Sequence, residues 1–350
     1  MDTLTQGLLG ATVGQAGYGR VLGGRAVLWG AVGGLLPDLD MVTAAAGPMS
    51  GWLHHRGVTH ALWVGPVVGP ALGWMMWRWQ MWRSARVAKA ASSSLPPPLS
   101  AWVGLFTFAL LTHPLLDLFT SYGTQLLAPF SDRRFALDAV GIIDPVYSAL
   151  LAAALVVGRI RGPGSRAGGT AAWAALGLSS LYIGYGLQLN RQAEQAAHAQ
   201  LQDEGLRSPE IHAYPTLLQP YLRRIVVRRE DEILVGWLSL WRPRPVEWER
   251  YPLPRHSLIQ QLRSTPEGAT FEWFAMGQTL PTVTMSGAAW VVELHDLRYG
   301  FPSRSEPGIW GIRARFGPDG ALLDPVERIH SRLPLPAAEL LGQLLRFTFD

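Results

Sequence analysis

Three short clusters of ionisable side chains interrupt an otherwise apolar N-terminal half. In Leu53-His54-His55-Arg56-Gly57-Val58-Thr59-His60, three histidines fall within seven residues at the mouth of an apolar stretch. His113 and Asp117 are four residues apart, so a helix places them on one face. Imidazole nitrogen and carboxylate oxygen are both good zinc ligands. Pro37-Asp38-Leu39-Asp40 closes another apolar stretch, with Pro37 setting a turn that projects two carboxylates. One carboxylate suits binding or bridging a metal; the other suits holding a ligand histidine or activating water. Arg56 suits neutralising a phosphate or a developing oxyanion. Gly57 permits a tight backbone path, and Thr59 is placed to orient a ligand.

Each cluster has a plainer explanation. His113 and Asp117 would also serve as a polar pair packing helices, and Pro114 disfavours a regular helix at His113. The histidine cluster would also suit an interfacial group with snorkelling cations, and Asp38 and Asp40 a solvated loop. Together the clusters favour chemistry, because ionisable groups at membrane depth are costly and usually functional. Asp144 before Pro145 reads as a helix N-cap, and Asp132 as a partner of Arg133 or Arg134. The histidines after residue 190 read as structural or surface residues.

The elements that must position these residues are apolar helices. Only 16% of the 350 residues are charged, against about 25% in an ordinary soluble chain, and mean hydropathy is +0.13. No Glu occurs before residue 191, whereas the remainder is rich in Glu, Arg and Pro. Spans are expected at 58–77, 100–120, 140–158 and 167–190, with shorter Gly-rich candidates at 3–19 and 26–37. Arg20 and Arg25, then Arg78, Arg83, Arg86 and Lys89, then Arg159, Arg161 and Arg166 occupy alternate connections, which the positive-inside rule makes cytoplasmic. Trp74, Trp77, Trp79 and Trp82 read as an interfacial belt. The 38–57 and 121–139 connections and the C-terminal domain then face outward. No removable signal peptide is evident, and the absence of Cys excludes disulfides and thiolate ligands. The net charge of +4 forms no basic stripe with interleaved aromatics, so nucleic acid is not an expected partner.

The expected fold class is an α+β membrane protein: a multi-helix transmembrane domain over 1–190, a helical connector over 191–206 and a mainly-β domain over 207–350. The Ser/Pro stretch 90–99 reads as a cytoplasmic loop. Residues 224–240 read as two strands around a charged turn at Glu230–Glu232. Residues 282–293 are rich in β-branched types, and Gly317-Pro318-Asp319-Gly320 is a turn between apolar runs.

Met1-Asp2-Thr3-Leu4-Thr5-Gln6-Gly7-Leu8-Leu9-Gly10-Ala11, Gly33-Gly34-Leu35-Leu36-Pro37-Asp38-Leu39-Asp40, His55-Arg56-Gly57-Val58-Thr59-His60 and Thr112-His113-Pro114-Leu115-Leu116-Asp117 resemble motifs of the YdjM/YbcI-like inner-membrane metal-dependent hydrolases. So do Thr120-Ser121-Tyr122-Gly123-Thr124-Gln125, Pro129-Phe130-Ser131-Asp132, Ile143-Asp144-Pro145-Val146-Tyr147 and Asp296-Leu297-Arg298-Tyr299-Gly300. The resemblance implies a multi-pass protein of the bacterial inner membrane with metal ligands at Asp38 or Asp40, His55, His60, His113 and Asp117. It departs at Gln6, where many members carry His. The His-x-x-x-Asp element is also remotely similar to zinc-dependent phospholipases C.

The resulting expectation is metal-assisted hydrolysis of a lipid or phosphoester at the outer leaflet. A divalent ion, zinc first and manganese second, is held by Asp40, His55, His60, His113 and Asp117. Asp38 is the expected general base or bridging ligand, and Arg56 the anion stabiliser. The main alternative is a non-catalytic membrane protein with a structural Asp/His cluster and a partner-binding β domain. An ion pathway is disfavoured, since the inner halves of the helices carry mainly Ala, Gly, Val, Leu and Trp.

Overall fold

The computed structural model describes residues 1–87, 96–206, 210–302, 307–330 and 337–349. Lys89 and most of the Ser/Pro stretch 90–99 lie outside these. The chain divides into two compact units. The first comprises 1–41, 56–137 and 142–184; the second comprises 42–55, 138–141 and 185–350.

Helices build the first unit: α1 (Thr3–Leu22), α2 (Gly24–Leu35) and the 3-10 segment Leu36–Ala46, whose last residues belong to the second unit. After α3 (Ser50–His54, second unit) and the 3-10 turn Val58–His60 come α4 (Val64–Val87), α5 (Leu99–Leu118) and α6 (Pro145–Arg161). The 38-residue α7 (Arg166–Asp203) begins in this unit and ends in the second. Asp2 caps α1 by accepting from the Thr5 amide, and Asp144 caps α6 by accepting from the Val146 and Tyr147 amides, as its place before Pro145 predicts.

Small residues let these helices approach backbone to backbone. A Cβ on Gly10 would lie 2.2 Å from the Gly30 carbonyl oxygen, and one on Gly34 would lie 2.6 Å from that of Gln6. Gly10-x-x-x-Gly14 on α1 thus faces Ala26-x-x-x-Gly30-x-x-x-Gly34 on α2. Gly65, Gly69 and Gly73 of α4 meet Leu111, Thr107 and Val103 of α5 in the same way. This is the small-xxx-small packing of helices in lipid, where close van der Waals contact replaces a hydrophobic driving force.

Among the described residues, two helical stretches are long and apolar enough to cross a membrane: Gly24–Ala46 and Leu99–Leu118. The other expected spans differ from the sequence reading in identifiable ways. Residues 58–63 form a 3-10 turn and a bend, and α4 starts only at Val64. It then runs on through Arg78, Arg83 and Arg86, expected in a loop, because Arg is a good helix former. Helix α6 has 17 residues, about 26 Å at 1.5 Å per residue, against a hydrocarbon core of about 30 Å. The Arg86 guanidinium sits 3.7 Å above the Trp82 ring and Arg83 5.1 Å above Trp79, an arrangement suited to an interface.

In the second unit, strands β1 (Glu210–Pro215), β2 (Leu222–Arg228), β3 (Glu232–Ser239) and β4 (Glu249–Pro252) form one antiparallel meander. After the short helices α8 (Ser257–Arg263) and α9 (Pro266–Phe274), strands β5 (Thr279–Ser286), β6 (Ala289–Asp296), β7 (Trp310–Phe316) and β8 (Glu327–His330) form a second. Helix α10 (Ala337–Phe349) follows. Period-2 alternation divides the first sheet's side chains. Ile225, Val227 and Leu234 pack on Ala193, Ala197 and Leu201 of α7, while Val226, Ile233 and Val235 pack with Leu280 and Leu297.

Candidate metal centre

The 3-10 segment after α2 supplies Asp38 and Asp40, the 3-10 turn supplies His60, and α5 supplies His113 and Asp117. Helix α5 continues through Pro114, so the i, i+4 pair shares a face as its spacing predicts. All these residues belong to the first unit.

His60 Nε2 and His113 Nε2 lie 3.0 Å apart. Asp38 Oδ1 is 3.5 Å from the first and 3.4 Å from the second. Asp117 Oδ2 is 3.4 Å and 3.7 Å from the same two nitrogens. Both His side chains are fully buried and Asp117 is 1% exposed, whereas Asp38 keeps 9%.

The far side of each ring is engaged. His113 Nδ1 donates to the Gly34 carbonyl oxygen at 2.6 Å, and His60 Nδ1 lies 3.1 Å from Asp40 Oδ2. This network assigns the proton of each neutral ring to Nδ1, so the Nε2 lone pairs point at each other and at two carboxylate oxygens. The two Nε2 lone pairs and Asp38 Oδ1 then face one another, an arrangement suited to a cation. Asp117 Oδ2 is buried and lies 3.1 Å from Arg56 Nε. Zinc bonds of 2.0–2.1 Å in tetrahedral geometry imply ligand separations of about 3.3 Å, and the five distances here run from 3.0 to 3.7 Å. The residues present therefore fit a divalent ion. Asp38, His60 and His113 form a three-ligand group, and Asp117 Oδ2 lies beside the two imidazoles, paired with Arg56 Nε.

The site differs from the sequence expectation at two ligands. Asp40 is not in the ligand group: its Oδ2 takes the Arg56 backbone N–H at 3.1 Å and the Thr59 hydroxyl at 2.6 Å, and faces the back of His60. It orients a ligand, while Asp38 faces the centre. His55, half-buried at the end of α3, belongs to the second unit and is not among the converging ligands. The chain turns at Arg56, whose φ is 61°, between His55 and His60.

Arg56 is 3% exposed and pairs with Asp117, Nε to Oδ2 at 3.1 Å. It also donates to the Thr120 hydroxyl at 2.8 Å and lies 4.6 Å from the Tyr122 ring centroid. Gln6, where the resemblance expects His, donates to Asp117 Oδ1 at 3.0 Å and to the His113 carbonyl at 3.2 Å. The Met1 amino group also contacts Asp117 Oδ1. Gln6 and Met1 thus hold Asp117 Oδ1, while Oδ2 faces the two histidines and Arg56 Nε. The roles of Thr120 and Gly34 were missed by sequence reasoning; the signal for Thr120 was its position three residues after Asp117.

The chain thus combines a helical unit, in which buried Asp and His side chains could hold a metal ion, with a unit of two antiparallel sheets. The family model of the YdjM inner membrane protein matches residues 1–193, and the chain belongs to this family. It is also 27% identical over 217 residues to the uncharacterized protein YfhP of Bacillus subtilis (strain 168), which covers 58% of this chain and 59% of that protein. The chain thus matches less than two thirds of that relative's length. No solved structure matches.

Proposed function

We propose that this protein is a metal-dependent hydrolase of the bacterial inner membrane acting on a phosphoester or lipid-derived substrate at the outer leaflet. The observation that supports it most is the convergence of His60 Nε2, His113 Nε2 and Asp38 Oδ1, with Asp117 Oδ2 beside the two imidazoles. A divalent ion held there, zinc first and manganese second, would supply Lewis acidity and an activated water. Asp38, His60 and His113 would hold the ion with Asp117 beside them, and Asp40 and the Gly34 carbonyl fix the two rings. Asp38, the most exposed of the four, would serve as a ligand or as the general base. Arg56 offsets negative charge beside Asp117. The helices form a multi-pass domain, and the sheets lie on the periplasmic side.

The near-complete burial of His60, His113 and Asp117 also favours a second reading, a closed structural site with four protein ligands. Chelation separates the two. The detergent-purified protein is assayed for hydrolysis of bis(p-nitrophenyl) phosphate and of long-chain phosphoesters, before and after chelator, with circular dichroism alongside. The hydrolase reading expects activity lost with the fold kept and restored by zinc or manganese. Loss of fold with no activity at any stage supports the structural reading.

A further inference from the structure

A groove of about 590 Å³ lies within the first unit, between α1, α5, α6 and α7. Leu9, Val13 and Gly17 form its α1 wall, and Phe108, Leu115 and Phe119 its α5 wall. Hydroxyls among its lining residues are turned onto other groups. Thr112 donates to the Phe108 carbonyl, Ser179 and Ser180 both donate to the Leu176 carbonyl, and Tyr147 pairs with Ser179. With these hydroxyls engaged and most of the remaining lining apolar, the surface suits hydrocarbon.

The dimensions narrow the occupant. From Leu9 to Tyr18 the wall is about 14 Å long at 1.5 Å per residue, close to one leaflet of a hydrocarbon core about 30 Å thick. The α1 stripe of Gly17, Val13 and Leu9 continues at helical spacing to Gln6, which donates to Asp117. One end of the stripe is thus beside the Asp/His cluster and the other about 17 Å along α1. We propose that the groove holds the hydrocarbon chain of a phosphoester lipid whose head group is handled at the Asp38–His60–His113–Asp117 centre. The head-group part rests on the hydrolase reading; the chain-binding part stands on the groove alone.

The test uses the full chain in nanodiscs and hexadecyl phosphate carrying a photoactivatable diazirine at the chain end, with labelled residues mapped by mass spectrometry. Wild type is compared with Gly17→Phe, Gly177→Phe and His113→Ala. A Cβ at Gly17 or Gly177 meets no atom within 4 Å, so neither substitution forces a backbone shift; only Gly17 lines the groove. Labelling should concentrate on Ala16, Gly17, Tyr18 and Trp173. It should fall at least ten-fold in Gly17→Phe and stay at the wild-type level in Gly177→Phe. His113→Ala should label the same groove residues at lower occupancy, because the chain still seats there while the hold on the head group is lost. Even labelling over all exposed apolar helix faces, undiminished labelling in Gly17→Phe, or an unlabelled groove closed by cross-linking to a second copy would each overturn the proposal. Groove labelling without turnover of any phosphoester lipid would remove the hydrolase reading and its head-group assignment, while the chain site stands.

Discussion

Replacing Asp40 by Asn removes the negative charge behind His60 while keeping the side chain's outline. Asp40 Oδ2 accepts from the Thr59 hydroxyl and the Arg56 amide and faces His60 Nδ1 at 3.1 Å. Hydrogen bonds to a carboxylate are roughly twice as strong as neutral ones, so the ring loses both orientation and basicity. Removing such a supporting group costs about 10–100-fold in metal affinity, or about 1.4–2.7 kcal/mol. Asp38→Asn and His113→Ala alter groups that face the ion and should lose more, with no stoichiometric metal retained. Thr59→Val leaves the carboxylate in place and should cost less than about ten-fold. Chelator-competition titration of the purified variants gives the affinities without requiring a substrate. If Asp40→Asn abolished binding as fully as His113→Ala, Asp40 would be a ligand and the assignment of Asp38 would be wrong. An unchanged affinity would refute the orienting role.

Other expectations concern packing and charge. Gly10→Ala should lower stability in detergent by about 1–3 kcal/mol, since its Cβ would lie 2.2 Å from the Gly30 carbonyl, whereas Gly17→Ala should be neutral or stabilising by up to about 1 kcal/mol; thermal unfolding measures both. Asp296 and Arg298 form a buried pair at 2.7 Å, so Asp296→Asn should destabilise the second unit by about 3–5 kcal/mol, read from denaturant titration. The Glu293 carboxyl is held at about 2, below its ordinary 4.5, by hydrogen bonds from His295 and Arg313 acting against burial. Its contribution is therefore fully present above the ordinary carboxylate value and is lost as pH falls towards 2. The stability difference between wild type and Glu293→Gln should shrink over that window, and a difference independent of pH would contradict it.

The residue types and spacings announce the centre, but which carboxylate faces the ion depends on local geometry. In a 3-10 helix successive residues are about 120° apart, so Asp38 and Asp40 point in different directions, one to the Nε2 atoms and one behind His60. His55 was unreadable as a non-ligand because the turn at Arg56 depends on a positive φ that the sequence does not advertise in a non-glycine residue. The β half was legible where turn chemistry was strong: the charged turn at 230–232 joins β2 to β3, and Gly317–Gly320 follows β7. The predicted connector proved to be the end of α7, because Ala193, Ala197 and Leu201 bury one stripe of a segment rich in strong helix formers.

Elemental analysis of the detergent-purified protein, wild type beside His60→Ala and His113→Ala, tests the metal centre most directly. The arrangement predicts at least one divalent ion per chain in the wild type, lost in both variants while their helical content is kept. A wild type that binds none after reconstitution with zinc and manganese, or variants that retain the full complement, would contradict it.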